Sequence, residues 1–122
     1  MQPERSVLTC DWLVVAAALS AIAAILAGAF AAHAMTGKPV EWLHTAMQYQ
    51  LAHATVTMAL SRNAAWRRCA WLMIGGAAVF SVSLYVMALG APLWFGAITP
   101  VGGVLMICGW LCLAIKEVRH RA

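Results

Sequence analysis

The sequence predicts an all-α polytopic membrane protein: an antiparallel four-transmembrane-helix bundle with both termini on the cytoplasmic side (N-in/C-in). Three observations predict it. Of 122 residues, 64% are hydrophobic and only 10% charged, where soluble domains carry about 45–50% apolar and about 25% charged residues. The mean hydropathy is +0.83. The apolar residues gather into four long runs with the basic residues at their ends, as expected of helices that span a hydrocarbon layer ~30 Å thick. One membrane domain is expected over residues 1–122, with no room for a separate soluble unit.

The first run follows a short head that contains Glu4, Arg5 and Asp11, and it continues without a charge from Trp12 to Ala34. As a helix it measures ~35 Å, enough to cross with some tilt. Ala32-His33-Ala34 resembles a signal-cleavage site, but a signal core of about 7–15 residues is shorter than this run, and the head carries acids; a span is the expectation. Gly37-Lys38-Pro39 breaks the chain, and Pro39 suits a first helical position. The second run, about 41–60, is the least hydrophobic. The third covers about 66–89 and ends at Gly90-Ala91-Pro92. The fourth covers about 99–115, where Thr99 is placed to cap and Pro100 to open the helix.

Four spans put the N-terminus, the second loop and the C-terminus on one side. Arg5, Arg62, Arg67, Arg68, Lys116, Arg119 and Arg121 fall there, leaving Lys38 alone opposite. The positive-inside rule then makes that side cytoplasmic. Trp12, Trp66 and Trp71 sit at the inner interface, Trp42 and Trp94 at the outer one. Cys10, Cys69, Cys108 and Cys112 all fall at or near the inner, reducing side, so no structural disulfide is expected. Basic residues at run ends form no stripe for nucleic acid. Glu41 is expected to form a solvated pair with Lys38, and Asp11 to answer Arg67 or Arg68.

Helices in lipid associate through close packing and internal hydrogen bonds. The small residues Ala17, Ser20, Ala21, Ala24, Gly28 and Ala32 serve the first span. Gly75, Gly76, Ala77, Ala78 and Ser81 serve the third, and Gly102, Gly103 and Gly109 the fourth. Packing inside the bundle is the plain reading, and a homo-oligomer seam on the first span is the alternative.

One stretch departs from this apolar pattern. Between Trp42 and His53 lie His44, Thr45, Gln48, Tyr49 and Gln50. Thr45, Tyr49, His53 and Thr57 are four apart and are expected to share one face, with His53 ~18 Å into its helix. An unpaired polar group in hydrocarbon costs roughly 4–8 kcal/mol on alkane scales, so the stripe is expected to face protein. Its candidate partners are Ser81, Ser83 and Tyr85 on the third span, His33 on the first and Thr99 on the fourth. Together they form a buried polar cluster in the outer half.

A neutral, hydrogen-bonded His53 that ties helices together is the leading expectation. A proton or small-solute relay through His53, Tyr49 and His33 is one alternative. A haem- or metal-binding accessory subunit using His33, His44 and His53 is another, although their spacing matches no regular ligand pattern. Cys108 and Cys112 are four apart, yet inert thiols are the expectation, and the methionines read as apolar filler. No nucleophile–base pair, phosphate loop or catalytic carboxylate pair is present, so neither an enzyme nor a cofactor is expected.

Several motifs resemble those of a known family. Gly28-Ala29-Phe30-Ala31-Ala32-His33 is similar to G-A-F-G-A-H, with Ala31 in place of glycine. Trp42, Thr45, Ala46, Tyr49, Gln50 and His53 match W-x-x-T-A-x-x-Y-Q-x-x-H. Phe80-Ser81-Val82-Ser83-Leu84-Tyr85 matches F-S-G-S-L-Y with Val82 in place of glycine, and Thr99-Pro100-Val101-Gly102-Gly103 with Gly109-Trp110 matches T-P-x-G-G and G-W. The chain thus resembles the YgdD-like family of small inner-membrane proteins, a domain of unknown function that is similar to a small vertebrate transmembrane protein. The resemblance implies a four-span protein of the bacterial inner (plasma) membrane and brings no catalytic residues. A structural or accessory role in the lipid bilayer, alone, as a homo-oligomer or within a larger membrane complex, is the resulting expectation.

Overall fold

A computed structural model describes residues 9–122, so Glu4 and Arg5 lie outside the described residues. The elements are α1 (Trp12–Ala34), α2 (Lys38–Leu60), α3 (Arg67–Ala88), a 3-10 turn (Leu93–Ala97) and α4 (Thr99–Arg121). Each boundary has a local cause. Asp11 caps α1, its Oδ1 accepting the amide of Leu13 at 3.0 Å, which satisfies one of the helix's free N–H groups. Before α2 the chain turns at Gly37 with φ 73°, a conformation that costs glycine little, and Pro39 sits in the first turn. α3 gives way to Gly90 at φ 99°.

α2 therefore begins three residues before the apolar run, because Lys38 and Pro39 are already helical. α4 continues beyond Ile115 to Arg121, since a basic last turn suits a helix C-terminus. The expected Thr99 cap is not formed. Ile98 occupies the cap position and no side chain caps α4; the 3-10 turn leads straight into the helix, with Val101 N–H already bonded to the Ile98 carbonyl at 3.0 Å. The Thr99 hydroxyl turns to α3 instead.

The helices run up and down. One end gathers Asp11, Ser61, Ala65, Arg67 and Lys116: the Arg67 guanidinium makes two 2.8 Å bonds to the Asp11 carboxylate and a third to the Ser61 carbonyl, and Lys116 reaches the Ala65 carbonyl at 2.5 Å. The other end packs Ala31, Leu43 and Ala88 together. Among the described residues, Lys38 is the only Lys or Arg at that second end, paired at 2.6 Å with an equally exposed Glu41.

α3 is the axis of the molecule and touches every other helix. α1 and α2 pack along each other, whereas the backbone of α4 approaches only α3 and the 3-10 turn. The fourth helix is thus attached to a three-helix core rather than closing a symmetric bundle. Leu13, Ala54, Leu60, Ala70, Met73 and Ile74 make the largest buried cluster. Three stretches are long and apolar enough to cross a membrane: Trp12–Ala34, Arg67–Ala88 and Leu93–Arg121. α2 does not reach that hydropathy, for reasons its polar residues supply below.

The expectation of no disulfide is overturned. Cys69 and Cys112 are joined, linking α3 to α4 with their Cα atoms 5.7 Å apart, a usual separation for such a bridge. The sequence argument rested on the compartment alone, whereas the close α3–α4 crossing puts these two side chains face to face. Cys112 is thereby taken from the Cys108–Cys112 pair; Cys108 and Cys10 are free and exposed.

Candidate functional site

The polar residues of α2 divide between two faces. Gln50, His53 and Thr57 are buried; His44, Thr45, Gln48 and Tyr49 are exposed. A row spaced by four residues gains about 40° on each step of a 3.6-residue turn, so Thr45, Tyr49, His53 and Thr57 wind from the surface into the core. The face turned inward follows mixed spacings of three and four: Leu43, Ala46, Gln50, His53, Thr57 and Leu60. The expectation of one inward stripe is corrected accordingly.

His53 is at the centre of the buried set, 8% exposed. Its Nδ1 lies 2.7 Å from the Tyr49 carbonyl, one turn back on α2. Its Nε2 lies 3.1 Å from the indole nitrogen of Trp110 on α4. These partners determine the tautomer. An indole N–H can only donate, so Nε2 accepts; a carbonyl can only accept, so Nδ1 carries the proton and donates. Both ring nitrogens are engaged, and a proton or metal at Nε2 requires Trp110 to leave. The rings meet edge to face, with centroids 6.1 Å apart, while Tyr49 packs on Phe80 at 4.7 Å.

The other buried polar groups form separate contacts between helices. The Tyr85 hydroxyl donates to Gln50 Oε1, joining α3 to α2. Ser81 donates to the Ala46 carbonyl at 3.2 Å across the same seam. Ser83 shares a 2.6 Å bond with Thr99, joining α3 to α4. Ser20 and Thr57 bury hydroxyls that have no hydrogen-bond partner among the described residues.

Of the residues expected to converge, Gln50, Ser81, Ser83, Tyr85, Thr99 and His53 are therefore joined in pairs, not in one connected chain. His33 is exposed at the end of α1, away from them. Among the described residues, no group of three His, Cys, Asp or Glu side chains is placed to hold a metal ion, so His33, His44 and His53 do not come together as ligands. Sequence reasoning missed Trp110. The signal was available: five of the six tryptophans fall near helix ends or loops, and Trp110 falls mid-helix, where a buried N–H needs a partner.

At the basic end, Asp11 is the one acid among the described residues that is drawn into a network. The hydrogen bond from Arg67 holds its carboxyl down at about 2, well below the usual carboxylate range.

Gln50, His53, Ser81, Ser83, Tyr85 and Thr99 lie inside the segment matched by a model of a family described as "Protein of unknown function (DUF423)", over residues 27–103, and Trp110 lies just beyond it. The chain belongs to this family. It is 34% identical to the UPF0382 membrane protein YwdK of Bacillus subtilis, covering 88% of this chain and 96% of the relative. It is 39% identical to the UPF0382 membrane protein SSP2132 of Staphylococcus saprophyticus, over 84% of this chain and 92% of the relative. The UPF0382 inner membrane protein YgdD of Escherichia coli is 30% identical, over 92% and 93% of the two chains. No solved structure matches. The chain is accordingly a membrane protein of an uncharacterised family, with helical, apolar spans, and nothing in its relatives' names points to catalysis.

Proposed function

We propose that the chain is a single four-span membrane domain, both termini cytoplasmic, with a structural or accessory role and no chemistry of its own. The observation that carries this reading is the double engagement of His53. Buried at mid-helix, His53 spends both nitrogens on holding α2 to itself and to α4, and Gln50, Ser81, Ser83, Tyr85 and Thr99 are spent pairwise on joining helices. A relay needs a continuous path and a free lone pair, and this arrangement provides neither.

Packing supports α2 as the fourth span. It is 23 residues long, like α1 and α4, and lies along both α1 and α3, two helices apolar enough to cross. A helix packed lengthwise between two spans shares their depth. The basic residues at the terminal end support the orientation. Gln50, Ser81, Ser83, Tyr85 and Thr99 then act as interhelical fasteners rather than as a ligand site.

Trp110→Phe and His53→Ala test the reading through thermal unfolding in detergent and through proton flux in vesicles. The expected result is destabilisation of about 1 kcal/mol for Trp110→Phe and no flux above protein-free vesicles for any form. A proton flux in the native chain that His53→Ala abolishes would overturn it.

A further inference from the structure

The outward face of α2 differs from those of α1 and α4. α1 turns Leu19, Ile22, Ile25, Leu26 and Phe30 outward, and α4 turns Val101, Val104, Ile107, Leu111, Ile115 and Val118 outward. Both are large, aliphatic surfaces suited to lipid tails. The small residues Ala17, Ser20, Ala24 and Ala31 of α1 are spent on contacts inside the molecule. With the large hydrophobics Tyr49, Leu51 and Met58 on its flanks, α2 by contrast exposes Glu41, Thr45, Gln48, Ala52, Thr55 and Ala59 along one line. These positions alternate spacings of four and three, so they form one stripe along the whole helix, opposite the stripe that carries Gln50, His53 and Thr57. Every member is polar or small.

Thr55 answers its own hydroxyl, donating to the Leu51 carbonyl at 2.9 Å, and Glu41 is paired with Lys38. Gln48 stands between them, ~15 Å from the start of the helix and so near mid-membrane, with an amide that has no bond among the described residues. Hydrocarbon satisfies neither its donors nor its acceptors.

We infer that this face of α2 is the interface between two copies of the chain in the membrane. The inference rests on the reading that α2 is a span. The chemistry of the stripe is what selects a second copy as its occupant. The interior of the stripe is uncharged, and its Thr and Gln side chains each carry both a donor and an acceptor, so the face is complementary to itself. Two copies inserted in the same orientation, related by a two-fold axis along the membrane normal, bring identical residues together at identical depth. Gln48 then meets Gln48 in a reciprocal amide pair, and Thr45, Ala52 and Ala59 are small enough for the two backbones to approach closely. The alternating four–three spacing is that of a left-handed helix pair.

Cysteine cross-linking of the full-length chain in native membranes tests this. In a Cys10→Ser, Cys108→Ser background, Ala52→Cys and Ala59→Cys are oxidised beside Ile22→Cys on α1; a fourth form keeps the native Cys108 on α4. The expected result is covalent dimer from the two α2 positions at least about fivefold above the α1 and α4 positions. Adding Gln48→Leu, an outward change that leaves His53, Gln50 and their partners untouched, is expected to weaken the dimer about tenfold in detergent. Equal or stronger cross-linking through α1 or α4 overturns the inference. So does the absence of dimer from α2 when the same cysteines react with a membrane-permeant maleimide. Lys38→Cys and Arg62→Cys keep the two questions apart: labelling by an impermeant reagent from opposite sides upholds α2 as a span whatever the cross-linking shows. Labelling from the same side removes that reading and the dimer seam with it.

Discussion

The α3–α4 seam and the α1–α2 seam hold two helix pairs together by different means. Between α3 and α4 the backbones touch. A Cβ on Gly76 would lie 2.8 Å from the Gly102 carbonyl oxygen, and one on Gly102 would lie 2.6 Å from that of Gly76. A Cβ on Gly109 would lie 2.5 Å from the Met73 side chain and 3.1 Å from the backbone of Cys69 and Met73, and the Ser83–Thr99 bond and the Cys69–Cys112 link join the same two helices. Between α1 and α2 the contact is made by side chains: Ala31 packs with Leu43, and the Met47 thioether is laid over Gly28. Among the described residues no side-chain hydrogen bond joins those two helices. A seam of touching backbones has no slack, whereas a seam capped by methionine has a flexible residue to absorb change.

The largest break is expected on the rigid side. Gly102→Ala drives a methyl into the backbone of Gly76 and Phe80, and a loss of about 3 kcal/mol is expected in thermal unfolding, at the upper end of overpacking costs. Gly103→Ala, which meets nothing within 4 Å, is the silent control. Cys112→Ser comes next: removal of the cross-link is expected to cost about 2–3 kcal/mol. Mass analysis after maleimide labelling of the unreduced native chain should find adducts on Cys10 and Cys108 alone.

A smaller effect belongs to the basic end. The Asp11 carboxyl is held at about 2 in the folded chain against 3.8, so the unfolded chain binds its proton first as the pH falls. The Asp11–Arg67 contribution is therefore full above about pH 4 and is lost as the pH falls towards about 2. Asp11→Asn should flatten the unfolding temperature across that window. The smallest change is expected in the adaptable seam, where Gly28→Ala displaces only the Met47 side chain and costs less than about 1 kcal/mol.

Much of this was legible in the chain because a bilayer leaves few choices. Uncharged runs long enough to cross become helices, and Gly37-Lys38-Pro39 and Gly90-Ala91-Pro92 mark where they stop. The facing of α2 was not legible from spacing by four alone, since such a row drifts around the helix; Thr45 and Tyr49 ended outside and His53 inside for that reason. Partners at long range were harder still. Nothing local in the sequence says that Trp110 sits at the depth of His53, or that Cys69 faces Cys112 rather than solvent. Both follow from the closeness of the α3–α4 crossing, and Gly76, Gly102 and Gly109 hinted at that crossing without giving its register.

The Arg67 clamp has a bearing on how the protein is made. Its guanidinium opens α3, its carboxylate partner begins α1 and its carbonyl partner ends α2. Arg67 is the last of these three partners to be synthesised, so the clamp that fixes the ends of the first two helices can close only once the third segment has begun. The one side chain thereby makes the joining of α1 and α2 at this end depend on α3.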